Sequence, residues 1–143
     1  HHKEFTQAKE IHWTFRGVNR YEWKLQQNMV DVYWDDYRVS YQTQYPKISF
    51  AFKKGKRIEG EEKQEAIDYA AFNFNNDSFW VVAPHKIFDI GTTRELVWVS
   101  IIPFDGIEAK WSNWEMTAGG FPLSRKRTLF GIEIPVTDLK VIP

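Results

Sequence analysis

The chain contains no cysteine, only 2 methionines and no surplus charge of either sign, since 19 acidic residues face 19 basic ones. Without cysteine there is no disulfide, no thiolate zinc site and no cysteine nucleophile, and either a reducing or an oxidising compartment is compatible. Zero formal net charge at a pI near 7.1 removes the basic field that nonspecific phosphate binding requires, so nucleic acid is not an expected partner. Long hydrophobic runs are missing too. The best candidate, Leu96 to Ile102, contains Ser100 and falls far short of the roughly 18 residues of a membrane span. Catalytic signatures are equally scarce: there is no Gly-x-Ser-x-Gly elbow, no His-Glu-x-x-His, no phosphate loop and no Gly-x-Gly-x-x-Gly.

What is abundant is aromatic surface: 7 Trp, 6 Tyr and 11 Phe in 143 residues. A chain of this length buries roughly two thirds of its unfolded surface, enough for one core and not two, and no repeat or linker divides it. Residues 1–143 are therefore expected to form a single domain.

Over the first two thirds of the chain the apolar residues alternate at period two, as strands with one buried face do. Ile11, Trp13 and Phe15 lie on one face and His12, Thr14 and Arg16 on the other; after a turn at Gly17-Val18-Asn19, Tyr21, Trp23 and Leu25 repeat the pattern. A second hairpin runs through Val30, Val32 and Trp34, turns at Asp35-Asp36 and returns through Tyr37, Val39 and Tyr41. Ile48, Phe50 and Phe52 give a fifth strand that turns at Lys54-Gly55-Lys56 into a short one ending near Gly60. Ala66, Ile67, Ala70, Ala71 and Phe74 fall at helical spacing after an acidic start, which predicts a helix over residues 62–75. Asn75-Asn76-Asp77 reads as its end, and Asp77 or Ser78 as the cap of a short helical turn carrying Phe79, Trp80 and Val81 that Pro84 stops. Strands are expected again over Thr93–Ile102, Ile107–Met116, Leu129–Val136 and Leu139–Ile142. The fold class is mainly β (α+β): an antiparallel curved sheet of about nine to ten strands, one main helix and one short helical turn.

His12 faces away from the aromatic side of its strand and reads as a solvent-facing side chain. His85 could pair with Asp77 or Asp89 as an acid/base couple, but no nucleophile accompanies it at a recognisable spacing. Asp31, Asp35 and Asp36 lack calcium-loop spacing, and His1-His2 lacks further ligands, so no metal and no cofactor is expected. The aromatics Trp13, Phe15, Tyr21, Trp23, Phe50, Phe52, Trp98, Trp111 and Trp114 are read as recurring on one strand face. A sandwich would consume them as core. A curved sheet with one helix over many strands would leave part of them facing an apolar concavity, where small ligands bind.

Ile11-His12-Trp13-Thr14-Phe15, Tyr21-Glu22-Trp23, the stretch from Phe74 to Asp89, Trp98-Val99-Ser100-Ile101-Ile102-Pro103 and Trp111-Ser112-Asn113-Trp114 together resemble exported proteins of Bacteroidetes-type bacteria that are distantly similar to the lipoprotein-carrier (LolA/LolB-like) superfamily. The resemblance implies an incomplete β-barrel covered by helices, a lipid or acyl-chain cargo, and a periplasmic or outer-membrane-associated place in the cell envelope, with peripheral or lipid-anchored membrane association. It brings no catalytic residues. Such carriers place a helix before the first strand and a Gly-rich hairpin where Val97 and Trp98 abut here, and a lipid-bearing cysteine would lie upstream of His1.

The expected function is therefore non-enzymatic: a monomer that binds a lipid or other apolar ligand in a half-barrel cavity lined by Trp13, Phe15, Tyr21, Trp23, Phe50, Phe52, Phe79, Trp80, Trp98, Trp111 and Trp114, with Phe79-Trp80 at its edge. The alternatives are a structural or protein-interaction module, with an envelope protein as partner, whose aromatics are all core, and a hydrolase using His85.

Overall fold

The computed structural model describes residues 2–87, 100–104 and 107–143. A short helix, α1 (His2–Gln7), precedes the first strand, where the sequence pattern predicts none. It is docked by Phe5, whose ring meets Trp23 and Phe121 edge-on at 6.1 and 5.6 Å. Strands β1 (Glu10–Phe15), β2 (Asn19–Lys24), β3 (Met29–Trp34), β4 (Tyr37–Gln42), β5 (Phe50–Lys53) and β6 (Lys56–Arg57) follow as an antiparallel meander. Their turns fall where the Gly17, Asp35-Asp36 and Gly55 signals place them, with Asp35 and Gly55 in the left-handed region that such turns require.

After helix α2 (Gly60–Ile87) come β7 (Ser100–Phe104), β8 (Ile107–Met116), β9 (Pro122–Leu129), β10 (Ile132–Glu133) and β11 (Val136–Ile142). The strands form a seven-stranded sheet in the order β11-β1-β2-β3-β4-β5-β6 and a four-stranded sheet in the order β10-β9-β8-β7. The segment 132–142 belongs to both: β10 pairs with β9, β11 pairs with β1, and Pro135 between them accepts a 3.0 Å bond from the Arg16 amide. All pairing is antiparallel, and among the described residues β6 and β7 do not meet, so the curved sheet stays open. The fold is mainly β with one main helix and no closed barrel.

The expected strand over Leu129–Val136 is instead a hairpin. Phe130 (φ +54°) and Gly131 (φ +73°) turn the chain between β9 and β10. Two consecutive left-handed residues suit this tight turn, but a bulky residue at the first is strained. Phe130 is also 72% exposed, so it gains little packing in return. Phe130→Asn should stabilise the protein by about 1 kcal/mol in a denaturant melt.

The second difference is α2, one continuous helix of 28 residues rather than a helix, a break and a turn. Its buried stripe runs Ala66, Ile67, Ala70, Phe74, Asp77, Ser78, Val81, Val82, at helical spacing straight through the polar Asn75–Ser78 stretch. It packs against the inner face of the meander, where Ile11, Trp13, Tyr21, Val30, Val32, Val39 and Ala51 are all fully buried. Trp34 stacks between Tyr37 (5.2 Å) and Tyr69 of α2 (4.3 Å), fixing the helix to the β3–β4 hairpin.

Candidate functional site

Where α2 crosses the seam between the two sheets, packing leaves a cleft of about 470 Å³ lined by Phe15 and Arg16 at the end of β1, Asn75, Asn76, Phe79 and Trp80 on α2, and Leu129 and Ile134 from the β9–β10 hairpin. Five of its eight lining residues are apolar while Arg16, Asn75 and Asn76 supply polar groups, and its volume is within the range of small-molecule sites, roughly 300–1,000 Å³. Trp80 stacks on Trp111 at 5.7 Å and meets Phe79 edge-on at 5.2 Å, so the aromatic wall is backed by a second layer.

Two buried polar clusters hold this part of α2. In the first, the Asp77 carboxylate accepts hydrogen bonds from the Tyr21 hydroxyl, from Asn19 Nδ2 (3.2 Å) and from Asn76 Nδ2 (2.9 Å), while Tyr69 donates to Asn19 Oδ1 (2.8 Å). Asp77 is 1% exposed. Its donors take the place of the water that burial removes. Burial first, and then the bond to Asp77, push the Tyr21 hydroxyl far above its ordinary pKa. Asn76 ties this network to the cleft wall.

The second cluster surrounds the Trp80 carbonyl. Four residues on stands Pro84, which has no amide hydrogen to complete the helical bond. The orphaned oxygen instead accepts from Trp111 Nε1 (2.8 Å) and Arg127 Nε (2.6 Å), and Arg127 also donates to the Ser124 carbonyl at 2.5 Å. Arg127 is 1% exposed and has no ion pair among the described residues; burial pulls its guanidinium down to about 10. These donors let α2 continue past the proline expected to stop it.

Of the aromatics expected to line a cavity, Phe15, Phe79 and Trp80 border the cleft and Trp111 backs it. Trp13, Tyr21 and Trp23 pack on Phe74 of α2 at 5.3–6.3 Å and belong to the core; Trp114 is also buried. Phe50 and Phe52 stand on the opposite face, because the inward residue of β5 is Ala51. There they carry Arg57 and Arg38, each 4.4 Å from the ring centroid. Trp98 and Asp89 lie outside the described residues, as do the side chain of His85 and the junction at Val97-Trp98. The Asp77 carboxylate, a candidate partner for His85 by sequence, is held by Tyr21, Asn19 and Asn76. His12 bonds Glu10 at 3.0 Å on the outer face, and Asp31 pairs with Lys24 at 3.0 Å. No group of residues among those described could hold a metal ion, and no described helix is long and apolar enough to cross a membrane. Sequence reasoning missed Arg16, Asn75, Asn76, Leu129 and Ile134 as cleft residues. Two asparagines interrupting a helical stripe were the available signal.

No family model, curated protein or solved structure matches the chain.

Proposed function

We propose that the protein binds an amphipathic lipid or other acyl-bearing molecule, without catalysis, in the cleft at the seam of its two sheets, within the bacterial envelope. The observation that carries this is the wall of Phe15, Phe79, Trp80, Leu129 and Ile134, open at a rim of Arg16, Asn75 and Asn76. Burying methylenes against such a wall contributes about 0.8 kcal/mol each, and the few polar groups at the rim suit a headgroup. Phe130 and Ile132, 72% and 69% exposed, flank the lining residues and suit contact with a lipid surface during exchange.

Titration of delipidated protein with a fluorescent fatty acid should saturate at micromolar concentration. Phe79→Asp places a charge on the wall and should weaken binding at least about tenfold, since a buried large apolar side chain is worth roughly 1.5–3 kcal/mol. Absence of binding, or binding indifferent to Phe79→Asp, overturns the reading for acyl ligands. It would favour the second reading, an interaction module, which the burial of Trp13, Tyr21 and Trp23 against Phe74 supports.

A further inference from the structure

The outer face of the seven-stranded sheet carries a feature that the seam cleft does not use. Register places Thr14 opposite Arg20, Arg20 opposite Tyr33, Tyr33 opposite Arg38, Arg38 opposite Phe52 and Phe52 opposite Arg57. One row perpendicular to the strands thus alternates cation and aromatic from β2 to β6. Arg20 lies over Tyr33 at 4.0 Å, Arg38 over Phe52 at 4.4 Å, and Arg57 over the neighbouring Phe50 at 4.4 Å. A guanidinium stacked on a ring is held in place yet keeps its N–H fork, because stacking uses its face and not its edge.

Thr14, Arg20, Tyr33, Arg38 and Phe52 of this row floor a groove of about 610 Å³, whereas Arg57 lies outside its lining and bonds Glu59 at 2.8 Å. The three hairpin turns all lie along one side of the groove, Val18 toward one end, Gly55 toward the other and the exposed carboxylates of Asp35 and Asp36 between them. Arg20 is loosely engaged by Glu22 at 3.4 Å, and Arg38, at the centre, has no ion pair among the described residues. Arginines on alternate strands stand about 10 Å apart, two strand spacings.

We infer that this groove binds a carboxylate-bearing oligosaccharide laid across the strands. Each component matches one part of such a ligand. Fixed guanidinium forks bind carboxylates bidentately, aromatic surface between them packs against the C–H faces of sugar rings, and Asp35 and Asp36 accept from hydroxyls. The alternatives fit less well. A nucleic-acid strand draws its affinity from a broad basic field, which a chain of zero net charge does not supply. An acidic peptide would look for a free sheet edge to satisfy its backbone, whereas the strands that floor the groove, β1 to β5, are already paired on both sides.

The test is calorimetric titration with oligogalacturonate and oligomannuronate, with their methyl esters, oligothymidylate and polyglutamate as comparisons, each variant first checked for an unchanged thermal melt. At least one of the two acidic oligosaccharides should bind, its methyl ester should bind at least about tenfold more weakly, and Arg38→Gln should produce a loss of the same order, since a bidentate charge-assisted contact is removed in both cases. Arg38→Lys, which keeps charge but not the fork, should recover only part. If Arg38→Gln shifts the melt, Arg20→Gln reports in its place. Phe79→Asp in the seam cleft should leave this binding unchanged, which separates the two sites. No binding by either acidic oligosaccharide, equal binding by the ester, indifference to both arginine variants, or preference for oligothymidylate or polyglutamate overturns the inference.

Discussion

Removing both side-chain donors to the Trp80 carbonyl should cost the protein more than the two single losses together. In Arg127→Met the oxygen keeps Trp111 Nε1, and in Trp111→Phe it keeps Arg127 Nε; in the double variant it keeps neither, and Pro84 supplies no amide hydrogen. An unsatisfied buried acceptor costs about 1–3 kcal/mol, so the coupling between the two substitutions should be about 1–2 kcal/mol in denaturant melts. Pro84→Ala decides the cause. It returns an amide hydrogen to the position that normally serves Trp80, so it should stabilise the double variant by about 1–3 kcal/mol more than it stabilises the parent protein. Strict additivity, with the same effect of Pro84→Ala in both backgrounds, would show that the carbonyl is not what Arg127 and Trp111 serve. The same turn of α2 presents Phe79 and Trp80 to the cleft, so the proposed binding depends on it.

The strands of the meander, β1 to β6, were legible because their alternation and turn residues agree with one another, whereas β9 (Pro122–Leu129) was not, since Pro122 reads as a break. Trp13 and Tyr21 point inward as the period predicts, and Asp35-Asp36 and Gly55 turn the chain where expected. Helix α2 was legible only to Phe74, since local propensity reads Asn75-Asn76-Asp77 as an ending and Pro84 as a stop. Tertiary partners reverse both: Asp77 is satisfied by Tyr21 and Asn19, residues 56 and 58 positions away, and the orphaned Trp80 oxygen by residues 31 and 47 positions away. The cleft was legible in Phe79 and Trp80 but not in Leu129 and Ile134, because the turn at Phe130 uses a residue that turn chemistry disfavours. Phe50 and Phe52 defeated the face assignment because β5 buries Ala51 and stacks its aromatics under arginines outside.

Asp77→Ala should be the most damaging single substitution in α2. It leaves the Tyr21 hydroxyl and the Asn19 amide facing a buried void where a carboxylate accepted both, and hydrogen bonds to a charged group are worth about 1.5–3 kcal/mol each before context. A loss of about 3–5 kcal/mol is expected, a large share of the 5–15 kcal/mol typical of a domain, and the melting temperature should fall by about 10 °C. Asp77→Asn should cost less, about 2 kcal/mol, because its amide still accepts one bond but turns a donor toward Asn19 or Asn76. Alkaline titration tests the same network independently. The raised Tyr21 pKa means that the folded protein keeps a proton which the unfolded chain releases near 10.0, so this contribution is complete below that pH and is lost as pH rises beyond it. Tyr69, also raised by burial, adds in the same direction, whereas Arg127, lowered from 12.5 to about 10, acts in the opposite one. Tyr21→Phe should therefore be less stable than the parent at neutral pH and show a shallower decline above pH 10. An Asp77→Ala protein with an unchanged melt, or a Tyr21→Phe protein with an unchanged alkaline slope, would mean that the network fills space without holding α2 to the sheet.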